Sequence, residues 1–307
     1  MTAIVGILNK KGIAIAADSA VTFSSGKDTK ILNTGDKMLR LKDGQPVAVM
    51  IVNNSHLCLS SSYHLPWDVI IRWYRKLHDS TGFPKLADYI NDFMSFVDSD
   101  ILEGIENFKP LEPTYMVFAG YGETDNYPSI CYCEIQEVKN GKLCYLPLQN
   151  LKTISDERES IVFPLGDDDI IGSILFGIQE ERIEPISQQF SLVLTNILLQ
   201  EKLYEQAMSI NNEVIASKVE KLIQGQKGTN YIQWLEVIKK YSLQEMAALA
   251  ENLVKSTELH RKITFQQERV GGLVDLALIT RNDGFQWLNR KSWYEPSKGG
   301  QYGKFGI

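Results

Sequence analysis

Histidine and cysteine are both scarce, with four of each among 307 residues. Cys58, Cys131, Cys133 and Cys144 are too few and too scattered for the dense disulfide framework of a small secreted domain, so reduced thiols are expected. Cys131 and Cys133 stand in the alternating run Ser129-Ile130-Cys131-Tyr132-Cys133-Glu134-Ile135, which reads as a strand; their spacing does not suit a zinc pair, and both are assigned to packing. His56, His64, His78 and His260 lie apart along the chain, which removes support for a Ser-His-Asp triad or a zinc centre. The acidic run Asp167-Asp168-Asp169 reads as a helix N-terminus decorated with acids in preference to a cation site. No metal and no other cofactor is expected.

Long apolar runs are missing as well, since no stretch approaches the roughly 20 residues of a membrane span. Nor is there any excess of basic charge: 32 Lys and Arg stand against 38 Asp and Glu, a formal net charge of −6. That balance, with the cations scattered, offers no electrostatic footprint for nucleic acid. The N-terminal segment is apolar, but it lacks a basic leading region and Asn9-Lys10-Lys11-Gly12 interrupts it, so it does not read as a secretory signal. A cytoplasmic chain without nucleic-acid or membrane partners is expected. Its 44% hydrophobic and 23% charged content is that of an ordinary globular protein with a sizeable core.

Thr2 to Leu8 and Ile13 to Ala17 are apolar runs joined by the turn Asn9-Lys10-Lys11-Gly12, a β-hairpin so uniformly apolar that both faces should be covered. Strands at Lys37 to Leu41 and Val47 to Val52 are expected to extend that sheet to four. Two helices follow, one opening at Pro66 with Trp67, Ile70, Ile71 and Tyr74 on one face, the other from about Pro84 through Tyr89, Ile90 and Phe93. Strands at Tyr115 to Ala119, Ile130 to Ile135 and Leu143 to Leu146 suggest a second sheet. From about 170 to 261 the pattern is helical, with Leu203, Tyr204 and Leu235 among its apolar positions, and Gly225-Gln226-Lys227-Gly228 is expected to break it. Trp67, Trp73 and Trp234 fall at helical positions as packing or interface residues. A hairpin built from Leu273 to Ile279 and Phe285 to Leu288 closes the chain, and the segment 296–307, with Gly299, Gly300 and Gly303, reads as a flexible tail. The order of elements predicts an α+β fold, a four-layer α-β-β-α sandwich of two stacked antiparallel sheets, in one domain over 1–295. The helical block at 180–260 is an enlarged layer of it.

A threonine after the initiator Met is small enough to permit Met1 removal. Thr2 would then supply both a hydroxyl nucleophile and, in its α-amine, a base whose ordinary pKa of about 7.7–8.0 suits neutral pH. A nearby lysine would lower that pKa and stabilise charge developing on Oγ, and a carboxylate would hold the lysine in place.

Thr2-Ala3-Ile4-Val5-Gly6, Gly12, Ala16-Ala17-Asp18-Ser19, Thr22 and Lys37-Met38-Leu39-Arg40-Leu41 together resemble the start of a proteasome β-subunit and of the bacterial proteasome-like peptidases, within the N-terminal nucleophile (Ntn) hydrolase superfamily. The loop Ser24 to Asp36 is longer than the family's, and the likeness covers roughly 2–150 and 265–290. It implies that Thr2 is the nucleophile and base, that Asp18 orients a lysine, and that this lysine is Lys37. It makes Thr22 a backbone partner for an extended substrate, and it assigns substrate binding and the oxyanion turn to Met50, Val52 and Asn53, where Val52-Asn53-Asn54 stands in place of the family's glycines. Gly271-Gly272 before a strand also fits. The family's supporting serine is matched by Asp167, and its supporting Asp and Ser by Gln267 and Val270, which leaves Ser19 and Asp167 as candidate supporting residues. The activity implied is a threonine peptidase cutting peptides or proteins, with a homo-oligomeric ring and an unfoldase ATPase as partners. A small-molecule amidohydrolase of the same fold, and an inactive structural or interaction subunit, stay open beside it.

Overall fold

The computed structural model describes residues 2–25, 28–32, 35–60, 63–105, 107–203, 205–206, 211–264 and 270–291. Met1, Tyr204, Gln267 and the glycine-bearing tail fall outside these ranges.

The first hairpin forms as expected, from β1 (Ala3–Asn9) and β2 (Gly12–Ala17), and every residue in both strands is buried. Alternation explains why one apolar run can satisfy two surfaces. Ile4 and Leu8 face one core, and Ala3, Val5 and Ile7 face another. At Gly6, a Cβ would meet Ile130 Cδ1 of the opposite sheet at 2.5 Å, so glycine lets the two sheets approach.

Between β2 and the second sheet lie β3 (Val21–Ser25), β4 (Asp28–Leu32), β5 (Met38–Arg40), β6 (Val47–Asn53), β7 (His56–Cys58) and β8 (His64–Pro66). Then come α1 (Trp67–Leu77), α2 (Leu86–Phe96) and a π turn at Val97–Ile101. The remaining strands are β9 (Thr114–Gly120), β10 (Ser129–Lys139), β11 (Lys142–Thr153), β12 (Ser160–Gly166), β13 (Asp275–Thr280) and β14 (Gly284–Asn289). Two five-stranded antiparallel sheets result, in the orders β12-β1-β2-β13-β14 and β11-β10-β9-β6-β5.

This corrects the expected strand partnership. β5 and β6 do not extend the first hairpin; β6 pairs with β9 from Val47↔Gly120 to Asn53↔Thr114. Their apolar character demanded two covered faces, a demand either sheet can meet, and the partner was decided by packing far along the chain. β12, which had no expectation as a strand, takes the free edge of β1, from Ala3↔Gly166 to Asn9↔Ser160. The stretch expected as a long loop contains a two-stranded ribbon, β3 with β4.

Three cores separate four layers. Ile4, Ile13, Met50 and Phe163 fill the space between the sheets. Trp67, Tyr74, Tyr89 and Phe93, from α1 and α2, cover one outer face, and Cys131 and Cys133 are buried there. The other outer face packs on α3 (Asp169–Phe176), α5 (Asn212–Ile238) and α6 (Leu243–Ile263). The α-β-β-α sandwich read from the sequence is therefore present. Trp73, in contrast to Trp67, is exposed.

α5 runs unbroken through Gly225 and Gly228, so the expected interruption does not occur. Each glycine costs a helix up to about 1 kcal/mol, a penalty that anchoring of Tyr231, Trp234 and Ile238 against the sheet outweighs. α4 (Ile183–Gln200) leans on α5 through Ser191, whose hydroxyl donates to Asn212 Oδ1 at 2.7 Å. Its buried positions are Ile183, Ser187 and Ser191, while Ile186, Phe190, Val193 and Ile197 stand 41%, 53%, 50% and 49% exposed. No described helix is long and apolar enough to cross a membrane.

Candidate functional site

Thr2 lies one residue ahead of β1 and is buried. Its carbonyl accepts from the Asp167 N–H at 2.7 Å. That approach requires glycine at 166, which ends β12 at φ 96°; any Cβ there would collide with the Thr2 carbonyl oxygen. Asp18 follows β2 and faces back toward the start of β1. Its Oδ1 accepts from the Ala3 N–H at 3.0 Å and from Lys37 Nζ at 2.8 Å, while Oδ2 accepts from the Ala20 N–H at 3.0 Å and the Gly271 N–H at 3.3 Å. Lys37 comes from the other sheet, just ahead of β5, and its carbonyl accepts from the Ile51 N–H at 2.8 Å. Thus Asp18 and Lys37, distant in sequence, form a buried ion pair beside the residue that follows Thr2.

Burial pushes the Lys37 ammonium below its ordinary pKa of 10.5; Asp18 opposes that effect, and Lys291 adds to it. Desolvation penalises a lone charge, so a buried lysine gives up its proton more readily than an exposed one.

Three residues in this region had not been singled out. Arg261, on the last turn of α6, holds Asp167 with both its Nε, at 2.8 Å to Oδ2, and its terminal guanidinium nitrogen on Oδ1. Asp167 therefore takes part in a buried, fork-like ion pair and does not decorate a helix start; α3 begins two residues later, with Asp168 at its N-cap. Asp275 opens β13 opposite Ala17 and is paired with Lys291, Nζ to Oδ2 at 3.1 Å and backbone N–H to Oδ1 at 3.1 Å. Burial pushes the Asp275 carboxyl up, against the pull of Lys291. Lys291 Nζ also donates to Ser19 Oγ at 2.9 Å, and Ser19 Oγ donates to the Leu273 carbonyl. Asp275 carried a legible signal, an acid inside the apolar run Leu273 to Ile279. Arg261 looked like an ordinary basic residue of a helix C-terminus, and Lys291 had no signal.

The residues assigned to substrate are divided. Met50 and Val52 are buried between the sheets, and Asn53 is exposed at the end of β6. Asn53 has φ 68°, in the left-handed region that asparagine tolerates best after glycine, at a place where the resemblance implied glycine. Over Ala48 to Met50, β6 is paired on both edges, with β5 and with β9. A substrate strand therefore cannot lie along that stretch; the free edge begins past Ile51, at the Asn53 end. Thr22 sits on β3 opposite Ile31. Val270, at the position of a supporting serine in the resemblance, is buried and apolar.

No protein-family model matches the sequence, and no curated protein matches it. Among solved structures the chain is similar to one described as an Anbu (Gly-1) mutant from Hyphomicrobium sp. strain MC1, with 13% identity, a TM-score of 0.46, and coverage of 95% of this chain and 86% of that one.

Elsewhere, His56 and His64 share the β7–β8 ribbon, opposite Pro66 and beside Cys58 respectively. Burial lowers the His56 pKa, with His64 adding to it. Among the described residues no group of three His, Cys, Asp or Glu side chains is disposed to hold a metal. A cavity of about 230 Å³ lies at α3, bounded by Asp168, Asp169, Phe176 and Lys227, and is not lined by Thr2, Asp18 or Lys37.

Proposed function

We propose that the chain is an N-terminal threonine hydrolase of proteasome-like type, cutting peptide bonds through an acyl-enzyme on Thr2 once Met1 is removed. The observation that carries this reading is the buried Lys37–Asp18 pair, fastened to the Ala3 N–H next to Thr2. The freed α-amine of Thr2 takes the hydroxyl proton as Oγ attacks the substrate carbonyl. Charge developing on that carbonyl's oxygen is met by a backbone N–H. The Asn53 N–H suits this task, because the Ile51 N–H already points toward Lys37 and alternate residues of a strand share an edge. The α-ammonium then returns its proton to the leaving amine. Water, deprotonated by the same amine, hydrolyses the ester. Lys37, held on the same Asp18 oxygen that accepts from the Ala3 N–H, supplies positive charge beside the start of β1 to stabilise the charge developing on Oγ.

The experiment is labelling of the Met1-processed protein with an epoxyketone or β-lactone. Wild type should label at Thr2; Thr2→Ala should not label at all, and Lys37→Ala should label about 100-fold more slowly or worse. Labelling that persists in Thr2→Ala overturns the mechanism. An unlabelled wild type points to an inactive subunit.

The short free edge at Asn53 favours a second substrate class, compact amides in place of extended peptides. Competition between a small acyl amide and a decapeptide for the same label separates the two. The reading includes self-association: Ile186, Phe190, Val193 and Ile197 recur at the spacing of a helix seam and face outward, a ridge that a second copy would cover.

A further inference from the structure

We propose that Lys291, anchored on Ser19 and Asp275, is a positioning residue for the Asp18–Lys37 pair: it braces the corner that presents Asp18 and sets a second positive charge at that corner, next to the residue that holds Lys37. This rests on the hydrolase reading for its functional meaning.

The brace follows from the hydrogen bonds. Asp18 and Ser19 are consecutive, and the Ser19 N–H donates to the Gly271 carbonyl at 3.0 Å while the Gly271 N–H donates to Asp18 Oδ2. Ser19 has one hydroxyl proton, which it gives to the Leu273 carbonyl; its oxygen accepts from Lys291 Nζ. With both roles filled, Ser19 cannot turn toward Asp18 and compete for its proton acceptors. Lys291 is fixed in turn because its backbone N–H and its ammonium grip the two oxygens of Asp275. Asp275 is in register with Ala17, the residue before Asp18, so the grip acts on the same corner from the neighbouring strand.

The charge follows from burial. Side-chain exposure is 7% for Lys37, 1% for Asp18, 6% for Lys291 and 1% for Asp275. Two buried ion pairs thus meet at one corner, one through Asp18 and the other through its neighbours Ser19 and Ala17, an arrangement that is tolerable only while each charge is paired. The charged groups acting on Lys37 are Asp18 from the end of β2, Asp275 from β13 and Lys291 beyond β14; Asp36, paired with Arg72 of α1, acts on Asp275. Removing the Lys291 charge leaves Asp275 acting on Lys37 unopposed. Removing the Asp275 charge leaves Lys291 unopposed. The two substitutions must therefore move Lys37 in opposite directions, which loss of a structural contact would not do.

The test is titration of the Lys37 side chain by NMR in the full chain carrying 13C-labelled lysine, with the signal assigned by its loss in Lys37→Arg. Lys291→Met should raise the Lys37 midpoint by about one pH unit, a tenfold gain in proton affinity. Asp275→Asn should lower it by a similar amount, and Lys291→Arg should leave it near wild type. Each variant's fold is checked by its thermal melt, and if Lys291→Met does not fold, the Asp275→Asn and Lys291→Arg pair still decides. No shift in a folded Asp275→Asn, or shifts of the same sign in Asp275→Asn and Lys291→Met, overturns the proposal. The readout needs no turnover. Opposite shifts in a protein that never labels at Thr2 sink the hydrolase reading alone, and normal labelling without shifts sinks this proposal alone.

Discussion

Gly166 is the residue at which the site tolerates least. Its φ of 96° and its contact with the Thr2 carbonyl exclude any side chain, so Gly166→Ala should cost about 2 kcal/mol or more in a denaturant melt. Arg261→Met should cost roughly 3–5 kcal/mol by leaving Asp167 buried without its partner. Lys37 makes a prediction in pH. Its pKa is lowered in the folded state, so between that value and 10.5 the unfolded chain holds more protons, and stability rises with pH. Wild type should gain in denaturant midpoint relative to Lys37→Met as pH climbs from 7 to 10; a constant difference would mean that Lys37 is not desolvated. At this scale the sequence marked Thr2, Asp18 and Lys37 because their types and order formed a pattern. Arg261 and Lys291 were hidden, since a surface cation and a buried one look alike until a carboxylate from a distant element arrives.

At the scale of elements, apolar content was the readable quantity and partnership was not. β1 and β2 could be read as buried on both faces, because a hairpin brings its own partner with it. β6 was equally clear as a strand, yet its neighbour β9 lies beyond two helices, and no local rule names it. The glycines of α5 misled for a related reason: propensity is a small term beside the anchoring of Trp234 and Ile238. Both glycines face open space, so Gly225→Ala and Gly228→Ala should each stabilise the protein by about 0.5–1 kcal/mol, read as a raised melting temperature. α4 shows the converse. It turns serines inward and its apolar stripe outward, an inversion no isolated helix has reason to adopt.

For the molecule as a whole, that stripe carries the prediction of self-association. Phe190→Glu with Ile197→Glu should shift the species seen by light scattering to a smaller mass without lowering the melting temperature of the subunit, as neither side chain is buried in the described chain. An unchanged mass would remove the stripe as the contact.

The topology also sets an order of events. β1 is flanked by β12, and β2 by β13, so the strands nearest Thr2 are completed by segments from the middle and the far end of the chain. Asp167, Arg261 and Gly271, which fix Thr2 and Asp18, arrive with them. Closing such long loops is slow compared with forming helices, and it comes late. The Thr2 carbonyl and the Asp18 carboxylate therefore gain their long-range partners only after segments beyond residue 160 have docked on the first hairpin. If Thr2 acts as proposed, its competence is among the last properties the fold acquires, and a partly folded copy has no assembled site with which to damage its surroundings.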